Sequence, residues 1–255
     1  MKTRICAVAS LLMAILATQP LIAQPVAPAW SGQITYEGIH KIDPASLKFL
    51  DDNGELMKPG DPNFPKDIPD NRMSEQKVLI NGAYAKVTGN NHIMPQSGSR
   101  RPFTEQTFLD LNALKKVTIV TVGIGADAKA YQADVSLQRV SGWQFTDQTR
   151  KIAGYSCRKA TVTYKKEIYT VWITSELPVT YSPIQELTPD TGAVLLIEGS
   201  KEQYKARKVA KTALSESAVK PNVQAQTVTA DQLTEIRQKA IADFVEKNAR
   251  AGQGG

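Results

Sequence analysis

Alternating apolar and polar positions dominate this chain, and they predict strands rather than helices. Residues 31–40 (SGQITYEGIH) alternate and are rich in β-branched and aromatic side chains, which makes them a first strand. Residues 77–87 (KVLINGAYAKV) read as a hairpin turning at Asn81-Gly82, a pair favoured in type I′ turns because both residues tolerate positive φ. Residues 107–111 and 116–122 are further strands. From Tyr131 to Lys211 strand follows strand across short turns, at 131–139, 150–155, 158–164, 167–174, 194–198 and 203–210. Short strands without helical periods between them predict a mainly β fold, an antiparallel sheet arranged as an open barrel or a sandwich.

The period changes only near the end. Residues 213–228 form a polar linker with Pro221, and Thr229 then stands three residues before Gln232, as in a capping box. Leu233, Ile236, Ala240, Phe244 and Val245 follow at helical spacing. One amphipathic C-terminal helix over 229–249 is therefore expected to pack on the sheet, with 250–255 a disordered tail. The β-rich domain itself spans 24–212. Within it, residues 43–75 carry Pro44, Pro59, Pro62, Pro65 and Pro69 and read as a long surface loop, because proline removes backbone donors and fixes φ. Residues 89–102 are a second polar loop.

The N terminus has a different character. Lys2 and Arg4 precede an uncharged apolar stretch, 5–16; Gln19-Pro20 breaks it, and Ala23 marks a small-residue cleavage point before Gln24. Residues 1–23 thus read as a secretory signal peptide. The apolar run falls short of the roughly 20 residues that span a bilayer. Cys6 opens the apolar core instead of following it, so lipidation there is not expected. No later segment is apolar for long enough to cross a membrane. The expected address is the periplasm or the secreted space.

Composition narrows the function. The chain has 255 residues, 42% of them hydrophobic and 22% charged, which is ordinary globular usage. Only two Cys and two His are present, little material for a zinc site or a histidine-based catalytic network. The formal charge of +6 includes Lys2 and Arg4 of the leader, and the remaining excess is scattered. No basic stripe with interleaved aromatics appears, so nucleic-acid binding is not expected. After cleavage Cys157 is the sole cysteine, and apolar burial must stabilise the core without a disulfide.

Several local motifs imitate sites. Strand 117–122 followed by Gly123-Ile124-Gly125-Ala126-Asp127-Ala128 matches a dinucleotide fingerprint, but residues 131–139 alternate as a strand where the fingerprint needs a helix. A glycine turn between antiparallel strands is the better reading. Asp51-Asp52-Asn53-Gly54 resembles part of a calcium loop; with Gly54 at position six, Phe49 and Gly60 fall where carboxylates are required. Cys157 between apolar neighbours reads as a core thiol. His40 and His92 without an evident third ligand make a poor metal site. No cofactor, metal or catalytic set is expected.

The strongest β segment carries Trp143, Phe145, Tyr155, Tyr164, Tyr169 and Trp172. Along 167–174, Tyr169, Val171 and Ile173 point one way while Ile168 and Trp172 point the other, so both faces carry bulky apolar groups. One face can cover the helix; the second either packs on another sheet or lines a concave cavity. Trp143, Tyr155, Tyr169 and Trp172 are the candidate binding residues.

The block Lys151-Ile152-Ala153-Gly154-Tyr155-Ser156-Cys157-Arg158-Lys159-Ala160-Thr161, with Tyr169-Thr170-Val171-Trp172-Ile173-Thr174-Ser175-Glu176-Leu177-Pro178, resembles the GLPGLI family of exported bacterial proteins. At that family's naming motif this chain instead has Thr188 to Ile197, TPDTGAVLLI, keeping only a glycine before an apolar strand. The resemblance implies a β-rich exported protein and offers no catalytic residues. The combined expectation is a non-enzymatic cell-envelope protein that binds an apolar, lipid-like ligand or an envelope protein partner. The alternatives are a structural or interaction subunit of an outer-membrane or secretion complex, and a thiol- or metal-dependent hydrolase.

Overall fold

The computed structural model describes residues 30–44, 47, 49, 57, 58, 60–90 and 102–252, with the side chains of Asn90 and of residues after Lys247 excepted. The signal peptide expected at 1–23, most of the loop expected at 89–102, His92, and part of the Pro-rich segment lie outside the described residues.

Two meanders build the architecture. The first runs through β1 (Ser31–Lys41), β2 (Asn71–Asn81), β3 (Tyr84–Asn90), β4 (Phe103–Asp110), β5 (Lys115–Val122) and β6 (Lys129–Ser136), each antiparallel to the one before. The second runs through β7 (Gln144–Ile152), β8 (Tyr155–Tyr164), β9 (Glu167–Thr174), β10 (Ala193–Glu198) and β11 (Glu202–Lys211). Antiparallel pairing of β1 with β11, in register Gly38 with Tyr204, joins them into a single sheet. A short helix α1 (Glu216–Val219), a two-residue strand β12 (Gln226–Thr227) and a long helix α2 (Ala230–Gly252) complete the chain. The order across the sheet is β12-β6-β5-β4-β3-β2-β1-β11-β10-β9-β8-β7, and only β12 pairs parallel, with β6. The mainly β fold with one C-terminal helix is thus an open antiparallel sheet of twelve strands.

Alternation located most of the strands because they bury a single face or half of one. Strand β1 is buried at every second position from Gly32 to Gly38, and β9 and β10 are buried almost throughout because apolar groups cover both their faces. The outer edge β7 is polar and mostly exposed, a composition that discourages edge-to-edge association. Three differences from the sequence reading have plain causes. Strand β2 starts at Asn71, inside the segment assigned to the Pro-rich loop, because the last proline is Pro69 and ladder pairing with β1 takes over directly after it. The β2–β3 turn is centred on Gly82-Ala83, since Asn81 pairs with Tyr84 and only Gly82 has positive φ, at 60°. The stretch 213–228 holds α1 and β12, and α2 continues to Gly252, through the first half of the segment expected to be a tail.

Two bulges bend the sheet where the meanders meet. One lies between Thr35 and Tyr36 opposite β11, the other between Val194 and Leu196 opposite β9. Bulges sharpen local twist and re-aim the inserted residue. Leu195 is fully buried there, and Arg207 forks onto both carboxylate oxygens of Glu37 at 2.6 and 2.8 Å. The main core gathers Ile34, Tyr36, Val78 and Ile80 of the first meander against Trp172, Leu195, Leu196 and the loop residues Leu177, Val179 and Tyr181. A second cluster holds Ala160, Val162, Tyr169, Val171 and Ile197. A third is small: Val120 and Ala133 against Leu233 of α2.

At the centre, the buried Tyr36 hydroxyl donates to the Val194 carbonyl at 2.8 Å. Burial pushes this phenol well above its ordinary pKa, so it stays a donor. Tyr36→Phe is expected to lower stability by about 1–2 kcal/mol, because it leaves a buried carbonyl unpaired. Urea unfolding should show a lower midpoint with an unchanged slope; an unchanged midpoint would mean that the bond is not holding the bulge.

Candidate functional site

The four sequence-predicted aromatics go to two places. Trp172 is 8% exposed in the main core; its Nε1 donates to Glu198 Oε2 at 3.2 Å and the Arg150 guanidinium covers its ring at 5.2 Å. Tyr155 is half-buried against that core. Tyr169 is 3% exposed in the second cluster, and Trp143 packs half-buried on its margin. Both faces of β9 are therefore packed from Val171 onward, while Ile168 near its start is 70% exposed, and the structure does not bring these residues together around one cavity.

Other motifs resolve simply. Cys157 is 1% exposed, and burial lifts its thiol to about 11, which keeps it protonated and unreactive near neutrality. Gly123 to Ala128 is a short 3₁₀ turn joining the antiparallel β5 and β6, so no helix opens to hold a pyrophosphate. Among the described residues no group of three His, Cys, Asp or Glu side chains is placed to hold a metal. No described helix is long and apolar enough to cross a membrane.

The open space lies elsewhere, beneath the second half of α2. Thr229 and Gln232 form the reciprocal capping box, with Gln232 N donating to Thr229 Oγ1 at 3.1 Å and Thr229 N to Gln232 Oε1 at 2.9 Å. Leu233 then docks on β5 and β6, and Arg237 reaches Glu105 of β4 at 3.0 Å. Beyond this point Ile241 and Val245 are solvent-exposed, so the apolar stripe expected to include Val245 is narrower than its sequence implies. Ala240, Asp243, Phe244 and Lys247 instead face a cleft of about 1380 Å³ whose other wall is the sheet, including Gln76, Val87, Phe103, Glu105 and Thr107.

A polar cluster sits at the β2–β11 end of this cleft. Ser74 and Tyr204 both line it, and both pair across the ladder with Gly38 of β1. A side chain at Gly38 would run into Ser74 Oγ and come within 3.0 Å of the Tyr204 ring and 3.2 Å of His40 Nε2. Glycine thus permits three side chains from three strands to converge. His40 Nε2 lies 3.1 Å from Ser74 Oγ and 3.4 Å from Tyr204 Oη, and its ring meets Tyr204 edge-on. His40 Nδ1 is 3.9 Å from Glu202 Oε2, while Tyr169 donates to Glu202 Oε1 at 3.2 Å. Burial first and Glu202 second push the Tyr204 phenol up to about 12, so it remains protonated. Serine, histidine and carboxylate occur in the order of a hydrolytic triad, but the histidine–glutamate separation exceeds hydrogen-bond reach and Tyr204 shares the same imidazole nitrogen. The cluster is built to exchange hydrogen bonds.

The comparisons with known proteins fit this fold. A family model described as N-glycanase peptide, N-terminal domain, of the PNGase F-II type, matches residues 71–236. The chain belongs to that family. Two solved structures share its architecture: PNGF-II in a C2 space group, with a TM-score of 0.53 at 15% identity, and PNGF-II in a P21 space group, at 0.51 and 14%. Each similarity covers 83% of this chain but only 33% and 34% of the solved chains. The chain therefore spans about a third of the length of those structures, and at such identity the likeness concerns the fold alone. No curated protein matches it.

This finding overturns the GLPGLI resemblance. Both segments that carried it, 151–161 and 169–178, fall inside the matched N-glycanase region. The first of these segments forms a hairpin in this chain. Ala153 and Gly154 both take positive φ, 49° and 91°, in a tight turn, and Cys157 and Tyr169 follow as inward-facing residues of adjacent strands.

Burial is the largest influence on His40 and lowers its pKa below 6.5; Glu202 opposes this and Arg72 reinforces it. A histidine depressed on folding takes up its proton more readily when unfolded. Its contribution to stability is thus complete above pH 6.5 and is lost as pH falls through the folded value. The stability advantage of the wild type over His40→Gln should shrink as the buffer moves from about pH 7.5 to about 5.5, around the ordinary histidine pKa. Parallel urea midpoints across that range would count against a half-buried imidazole held in its neutral form.

Proposed function

We propose that this chain is an exported, non-catalytic, glycan-binding domain of an N-glycanase type of protein, and that the cleft beneath α2 receives a carbohydrate chain or the glycoprotein that bears it. The carrying observation is the mixed lining of the cleft. Phe103, Phe244 and Tyr204 offer aromatic surface, while Ser74, Gln76 and Thr107 interleave hydrogen-bonding groups. Pyranose rings present an apolar C–H face beside a rim of hydroxyls, and such a lining suits both. An acyl chain would bury the polar groups without partners, which disfavours the lipid-like ligand expected from sequence. Membership of the N-glycanase family supports the glycan reading, and the N-terminal leader read from sequence supports export.

Titration of the purified protein with released N-glycans and with an N-glycosylated peptide, by calorimetry, tests this. Binding is expected, weakened about tenfold (~1.4 kcal/mol) by Phe103→Ala or Phe244→Ala. Absence of binding to either probe, together with lipid recovered from the protein by solvent extraction, would overturn the reading. Release of glycan from a denatured glycoprotein by this chain alone would overturn its non-catalytic part.

A further inference from the structure

Helix α2 is anchored through its first half. Leu233 is 2% exposed among Val120 and Ala133, the capping box closes the first turn, and Arg237 pairs with Glu105 at 3.0 Å. Ala240 is the last buried residue of the helix among the described side chains. Beyond it Phe244 is half-buried, and Ile241, Asp243, Val245, Glu246 and Lys247 are exposed. Few buried contacts mean a low free energy of local displacement, so this half can move while the first half stays in place. It moves as one piece: Lys239 pairs with Asp243 at 3.2 Å across the point where packing ends, an i,i+4 contact that favours continued helix.

The dimensions of the cleft favour such a movement. At about 1380 Å³ it exceeds the roughly 300–1,000 Å³ of an ordinary ligand pocket, so an occupant resting on the sheet leaves space beneath the helix. Ala240, Asp243, Phe244 and Lys247 recur at helical spacing and form one face, opposed by Gln76, Val87, Phe103 and Thr107 of the sheet. From Arg237 to Lys247 the lever is about 15 Å long, and a tilt of about 15° lowers its end by about 4 Å. Ile241 and Val245 are solvent-exposed, so the tilt breaks no packing of theirs.

We infer that residues 240–247 of α2 are a lid, which pivots on the Leu233–Arg237 anchorage and closes the cleft over a bound saccharide. This rests on the glycan-binding reading and adds to it the movement by which the site takes its ligand. In the open state a sugar resting on Phe103 touches the sheet wall alone. In the closed state it also meets Phe244 and Asp243, and that difference in contact shifts the equilibrium towards closure. Closure covers Phe244 and slows escape of the ligand.

The test measures the distance between nitroxides placed at Gln106→Cys and Val245→Cys in the full chain, with and without a released N-glycan. Gln106 alternates with Glu105 and Thr107 on β4 and so projects from the opposite face of the sheet. Cys6→Ser removes one native thiol, and Cys157, 1% exposed, is too buried to label. A second pair, Gln106→Cys with Glu235→Cys, reports the anchored half. Saturating glycan should shorten the lid distance by a few ångströms and leave the anchored distance unchanged. Gln238→Gly combined with Lys239→Gly, both outside the cleft lining, uncouples lid from anchor and should speed glycan dissociation about tenfold with association no slower. If calorimetry shows glycan bound while the lid distance stays fixed, the lid is wrong and the glycan reading stands. A dissociation rate equal to that of the wild type in the glycine variant also overturns the lid. If the wild type binds no glycan, the broader reading fails and the lid falls with it.

Discussion

The pairing of β1 with β11 is the constraint on which the rest of the molecule depends. It joins two meanders that would otherwise be separate sheets, and it does so across more than 160 residues of sequence, from Gly38 to Tyr204. Closing so long a loop is entropically unfavourable, although the cost grows only slowly with length. The compensation is visible at the joint: a continuous ladder, a forked Arg207–Glu37 contact and the Tyr36 hydroxyl on the bulged Val194 carbonyl. The crossover between β6 and β7 is tied down on both sides, through Leu137 N to Leu114 O at 2.7 Å and Val140 N to Glu186 O at 3.0 Å.

The same joint makes the polar cluster. Once Gly38 sits between Ser74 and Tyr204, the side chains of three strands point into a space that no single strand encloses. The main core reaches only the margin of this region, where Val87 and Tyr204 pack half-buried against it, and the third cluster holds α2 to the sheet only near its N-terminal end. What lies between is the cleft. Its contents follow from a division of labour along each strand: β2 buries Val78 and Ile80 towards the hairpin and presents Ser74 and Gln76 to the cleft before them. One strand face thus serves both core and cleft, separated by a few ångströms of rise per residue.

Much of this was legible locally. Strands β8 to β11, the glycine turn after β5 and the capping box of α2 each depend on neighbours in sequence and are found where alternation or turn chemistry places them, whereas β7 runs over Gln144–Ile152 and ends at the Ala153-Gly154 turn that the strand expected at 150–155 ran through. The candidate site was not legible in the same way. Aromatic abundance drew attention to 143–172, where Trp172 and Tyr169 turn out to be packed, because bulk alone does not say whether a side chain faces a cavity or a neighbouring chain segment. Ser74 was assigned to a Pro-rich loop. Extending the alternation of Val78 and Ile80 back past the last proline to Gln76, Ser74 and Arg72 would have recovered it. No local pattern connects that row to Tyr204 or His40.

The sequence by itself determined most of the period-2 segments, the glycine turn after β5 and the helix start, because these rest on side-chain alternation and backbone preference. Only the tertiary structure decided that the sheet is a single open one, that both faces of β9 are filled, and that a polar row opens onto a cleft under α2. Those outcomes depend on register between strands far apart in the chain, and a register is chosen by the burial and hydrogen bonding of the whole sheet at once.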